Sequence, residues 1–132
     1  SISAFPMSRL SEDLRSRCKK FGSAVIRLYS SLPLQREDAR TLGKQLLRSG
    51  TSVAAHAREA SRARSDAEFC SKLEGLLQEA DESQLWIEFL HEDCGISGEK
   101  TQPLWQEANE LMAIFTSMVV KLRARNAALS KR

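Results

Sequence analysis

The chain has 132 residues, 42% of them hydrophobic, with 20 Lys and Arg against 17 Asp and Glu and a net charge of +3 at pH 7. That length makes one ordinary domain, whose core can stand without a disulfide, metal or cofactor. No apolar run approaches the ~20 residues that cross a bilayer, and nothing near the start has the basic-then-apolar order of a secretion signal, so a membrane role is not expected. Three Cys (Cys18, Cys70, Cys94) without C-x-x-C spacing read as structural thiols of a cytoplasmic protein, not as a zinc or disulfide framework.

Residues 1–7 read as an N-terminal extension, since Met7 can serve as an initiator and Pro6 opposes helix. A single domain is expected over 8–129, with 130–132 as a frayed basic tail. The first predicted helix runs from about Ser11 to Leu32. Leu14, Cys18, Phe21, Val25, Leu28 and Leu32 recur at three- and four-residue intervals and form one apolar stripe, and Pro33 stops the helix. The second begins near Asp38 and runs to about Arg64, with Leu42, Leu46, Val53, Ala57 and Ala60 inward. Its middle, with Gly50, Ala54, Ala55, Ala57 and Ala60, is small-sided, so a neighbouring backbone can come close.

Ser65 and Glu68 form an S-x-x-E capping box that starts a third helix, which runs to about Glu92 on a stripe of Phe69, Leu73, Leu76, Ala80 and Ile87. A junction this short makes helices two and three antiparallel neighbours. Gly95 can take the left-handed geometry that ends a helix. Thr101 is the predicted N-cap of the fourth, with Pro103 in its first turn and Leu104, Ala108, Leu111, Phe115, Met118 and Leu122 inward. Four long helices with short links and no strand signal predict an all-α, antiparallel up-down-up-down four-helix bundle.

Charge is segregated along this plan. The first two helical regions carry thirteen basic residues against five acidic ones, and 65–94 carries one against nine. Arg40, Lys44, Arg58 and Arg62 share a face of helix two opposite its apolar stripe, and Arg15, Lys19, Lys20 and Arg27 occupy a comparable place on helix one. Such faces can follow a phosphate backbone. Charge-rich faces are also the ordinary solvated side of amphipathic helices. Stacking aromatics are missing beside them, Tyr29 being the one candidate, so any binding is expected to be led by the backbone and weakly sequence-specific.

Across the hinge the residues RSGTSV, HAREA, FCSKL, EADES and WIEFL carry the spaced pattern R-S-x-x-S-V-x-x-x-x-x-E-A, then F-x-x-K-L and W-x-E-x-L. This resembles the four-helix-bundle proteins encoded by intervening sequences of bacterial 23S ribosomal RNA genes, over most of the chain. The resemblance extends to the related accessory proteins of diversity-generating retroelements, and implies a homo-oligomer, most simply a pentameric barrel. Family members commonly have Asn where this chain has His56, which puts an Asn-specific network in question.

The residues point the same way on assembly. Leu85 and Phe89 lie off the core stripe with Trp86 on its flank, more apolar surface than one bundle can bury, and such patches mark interfaces. The alternative is that the following loop, or Trp105, folds over them. Beside the core of helix two, Ser49, Ser52, His56 and Glu59 face Lys72, Glu79 and Glu82 of helix three, a polar network suited to fixing register. A di-metal bundle needs Glu-x-x-His on two helices, whereas His56-Ala-Arg-Glu59 has the reverse order; no metal or cofactor is expected. Catalytic motifs are absent too. The sequence reading is a non-enzymatic oligomeric bundle that binds RNA or structured nucleic acid, the alternative being a scaffold for a protein partner such as a reverse transcriptase.

Overall fold

A computed structural model of the chain describes residues 9–131. The segment 1–7 read as an extension lies outside the described residues, as do Ser8 and Arg132. Four helices fill the described chain with no strand among its residues: α1 (Glu12–Ser31), α2 (Glu37–Ser61), α3 (Asp66–Glu92) and α4 (Gly98–Ser130). They form a four-helix bundle in which α1 meets α2, α2 meets α3, α3 meets α4, and α4 closes on α1 along the thinnest seam, while the diagonal pairs stay apart.

Each boundary has a local cause. Ser11 caps α1 by accepting from the Leu14 amide, and Leu32 leaves the helix with ψ 153°, the extended geometry that a following proline demands. Ser65 accepts from the Glu68 amide at 3.1 Å, which supplies the forward half of the predicted capping box. Gly95 has φ +72° and ends α3 as expected. Two boundaries differ from the sequence reading. The structure ends α2 at Ser61, because Arg62 and Ala63 turn back to donate to Ala60 O and its neighbour. At the start of α4 Ser97, not Thr101, is the N-cap; Thr101 sits one turn inside, buried, with both its amide and its hydroxyl on Ser97 O. The 130–132 tail begins as helix, since α4 continues through Ser130.

The stripes converge on one core containing Phe21, Val25, Leu46, Val53, Leu73, Leu76, Ile87, Leu111 and Phe115. Two expected members, Leu14 and Leu42, are only partly buried against it; on α4 Met118 lies at its edge while Val119 is inside. Cys18 and Cys94 are buried and all three thiols are free. Burial pushes the Cys18 thiol up to about 12, so it behaves as a small apolar group.

The small residues of α2 matter most against α1. A methyl group on Gly50 would lie 2.7 Å from Val25 Cγ2 and 3.0 Å from its Cβ, and one on Gly22 would lie 3.6 Å from Gly50 O. Val25 is fully buried and β-branched, so it cannot swing aside. Gly50→Ala should therefore lose about 1–2 kcal/mol, the overpacking strain exceeding the gain in helix propensity. Gly22→Ala, which meets only ordinary contacts, should gain up to about 1 kcal/mol. Urea denaturation of the two variants checks the opposite signs.

Candidate nucleic-acid interface

Because α1 and α2 meet at Gly22 and Gly50, the longer side chains on either side of that contact stand over a shallow centre. At one end they border an open groove of about 1180 Å³ between the first half of α1, the second half of α2 and the start of α3. Arg15 and Lys19 line it from α1, Arg58 and Arg62 from α2, with Arg64 beyond the end of α2 and Lys72 on α3. Three carboxylates, Glu12, Glu59 and Glu68, stand among these six cations. The floor includes Ala54, Ala55, Ser16 and Ser61, and no aromatic ring lines it.

The pairing inside the groove is uneven. Lys72 Nζ sits 2.9 Å from Glu59 Oε2, and this contact holds the Glu59 carboxyl below its usual range. Arg64 lies 3.7 Å from Glu68 but is almost wholly solvated, which leaves that pair weak. The side chains of Arg15, Lys19, Arg58 and Arg62 are all exposed and make no ion pair among the described residues.

The eight basic residues read as one surface thus divide. The structure brings four of them into the groove and leaves Lys20, Arg27, Arg40 and Lys44 exposed outside it. Lys20 follows Lys19 by about 100° of helical rotation, which carries it off the α2 side of α1. Arg40 and Lys44 share their face with Arg58 and Arg62 but lie at the other end of α2, beyond the close contact at Gly50. Arg64 and Lys72 were not assigned to the basic surface; fixing the hinge at Ser65 brings Lys72 back beside the end of α2, the signal that could have found it.

The polar residues between α2 and α3 separate into three contacts. Ser49 Oγ and Ser83 Oγ are 2.8 Å apart, both wholly buried. Arg48, absent from the expected network, joins Glu79 at 3.0 Å and Glu82 at 2.7 Å. Glu59 and Lys72 form the third, with His56 Nδ1 3.7 Å from Glu59, too far for a hydrogen bond. That buried nitrogen has no hydrogen-bond partner, and the ring lies over Gly75, where a methyl group would come within 2.9 Å of Cε1. Ser52 does not reach α3; its hydroxyl donates to Arg48 O within α2. Among the described residues no group of His, Cys, Asp and Glu could hold a metal ion.

Leu85 and Phe89 remain 43% and 37% exposed. Trp86 is partly buried, its ring centroid 6.3 Å from that of Phe89. Trp105 does not cover them; its indole N–H donates to Glu88 Oε2 at 2.8 Å.

A sequence profile described as 23S rRNA-intervening sequence protein matches residues 13–117. The chain belongs to this family. A solved relative, a protein of unknown function from the S23 ribosomal protein family of Bacteroides thetaiotaomicron, is 31% identical, with 80% of this chain and 97% of that one covered and a TM-score of 0.74. No curated protein matches the chain. The family match spans α1 from its second residue, α2, α3 and most of α4, so the α2–α3 contacts and all of the groove but Glu12 fall within it. No helix among the described residues is long and apolar enough to cross a membrane.

At the edge of the groove the segment before α1 is tied to the junction of α2 and α3. Arg9 donates through its amide to Ser61 O, through Nε to Ala63 O and through a terminal nitrogen to Asp66 Oδ1 at 2.8 Å. The Arg9 hydrogen bond comes first in holding the Asp66 carboxyl below its usual range, and Arg36 does the same for Asp38. A carboxyl depressed in the folded state stabilises above its unfolded value and loses that contribution as pH falls through the folded one. The thermal midpoint should accordingly drop between about pH 5 and about pH 3, and Asp66→Asn should flatten that dependence, as read by circular dichroism.

Proposed function

We propose that this member of the family is a non-enzymatic, oligomeric and cytoplasmic bundle protein that binds RNA or another structured nucleic acid through the basic sides of α1 and α2. The observation that carries the reading is the groove, where four cations without ion pairs face one another across a floor of small residues. Lack of a lining aromatic favours phosphate contacts over base stacking. The name of the family adds an RNA context.

We also infer the up-down-up-down antiparallel arrangement and self-association. Cross-helix contacts support the first: Glu59 meets Lys72, Ser49 meets Ser83 and Arg36 reaches Cys94 O, so residue numbers fall on one helix as they rise on the next. The exposed Leu85 and Phe89 support the second, and a pentameric ring is the expected assembly. Light scattering at micromolar concentration should give an oligomer, and Leu85→Glu with Phe89→Glu should shift it toward monomer with helix content retained. A monomeric wild type removes the interface.

For nucleic acid, affinity for a structured RNA should fall with salt by about 0.7–0.9 log unit per log unit of salt for each phosphate neutralised. Reversing Lys44, Arg58 and Arg62 to Glu should flatten that slope without unfolding the protein, since all three are exposed. Absence of wild-type binding at low salt, or an unchanged slope in the variant, would transfer the basic surface to the alternative role of a scaffold for an acidic protein partner.

A further inference from the structure

The groove holds its cations in two states. Arg15 and Lys19 on α1 and Arg58 and Arg62 on α2 have no carboxylate partner, while Lys72 on the α3 side is held by Glu59 at 2.9 Å. Guanidinium forks and ammonium groups suit phosphate oxygens, and the alanine and serine floor offers no aromatic ring on which a base could stack. At about 1180 Å³ the groove also exceeds the ~300–1,000 Å³ usual for small-molecule sites and is open, which fits a chain lying along it better than a compact ligand.

We propose that this groove is a discrete site for a short run of consecutive phosphates, in which Glu59 limits affinity by occupying Lys72 and by adding its own negative charge. The inference rests on the phosphate-binding reading above and narrows it: the recognised chemistry is the anionic phosphate chain itself, whether supplied by a nucleic-acid strand or by linear inorganic polyphosphate. The remaining cations outside the groove add attraction but not the site. With one phosphate for each cation that lacks a partner, a single strand should give a salt slope of about −3.

Glu59 provides a test that separates a local site from overall charge. Its carboxylate is half-exposed and makes no contact in the core, so Glu59→Gln keeps the side-chain shape while releasing Lys72. Asp81→Asn makes the same change in net charge on the exposed side of α3, away from the groove. Binding is read by fluorescence anisotropy with a labelled oligouridylate, with linear inorganic polyphosphate and polyglutamate as competitors. Glu59→Gln should tighten binding about three- to tenfold at low salt, the scale of one unit charge a few Å from a phosphate, and Asp81→Asn should change it less than about twofold. Polyphosphate should displace the strand, polyglutamate should not, and Arg58→Glu with Arg62→Glu should abolish both interactions.

Equal effects of Glu59→Gln and Asp81→Asn would overturn the site in favour of a diffuse field, and displacement by polyglutamate would overturn its selectivity for phosphate. RNA binding that polyphosphate cannot compete away would overturn this inference while leaving nucleic-acid binding intact. Polyphosphate binding read directly by titration calorimetry, without RNA binding, would support the groove and end the nucleic-acid reading. Failure of both ligands would end both.

Discussion

The basic side of this bundle depends on how closely α1 can approach α2. Gly50 leaves its backbone against Val25, and opposite it a methyl group at Gly22 would stand in ordinary contact with Gly50 O and Ala54 Cβ. A side chain at Gly50 would push the helices apart where the long cationic residues are anchored. The helix-propensity cost of glycine in a helix is about 1 kcal/mol, and Gly50 is the position where the close approach requires it. In return Arg15 and Lys19 stand across from Arg58 and Arg62 instead of on separate surfaces.

The hinge between α2 and α3 fixes the other wall of the groove. Arg9 donates to the Ser61 and Ala63 carbonyls, at and just beyond the end of α2, and to Asp66 in the first turn of α3, while its guanidinium lies 5.8 Å from the Phe69 ring centroid. Further along, the buried Ser49–Ser83 contact places one hydroxyl proton between the two oxygens, and the other hydroxyl donates along its own helix, Ser83 to Glu79 O or Ser49 to Leu46 O, so neither is left unsatisfied inside the interface. Arg48 then spans Glu79 and Glu82 on the surface. A shift of one residue between α2 and α3 would separate all of these pairs, so the polar contacts select one register where the apolar stripes would accept several.

Helix number, order and most core positions were legible because they depend on periodicity and on local signals such as Ser65, Pro33 and Gly95. Boundaries were less so: Ser97 and Thr101 both have the chemistry of an N-cap, and only the packing of Thr101 into the core decides between them. The basic surface was legible in composition but not in grouping. Sequence spacing placed Arg40 and Arg58 on the same face, yet it carries no measure of the distance along α2 or of where α1 pinches the surface at Gly50. The contacts of Arg9 with Asp66, Arg17 with Glu107 and Arg48 with Glu79 were missed for a similar reason, since each partner lies on a helix far along the chain and depends on how the helices are set against one another.

The placement of the His56 ring on Gly75 links two positions nineteen residues apart in the chain. Any side chain at 75 would need a smaller or differently directed group at 56, and the imidazole in turn needs the bare backbone beneath it. These two sites therefore form one unit of sequence drift. Asn at 56 would leave more room for Ala at 75 than His does, so paired substitution at these two positions would record the contact in sequence alone.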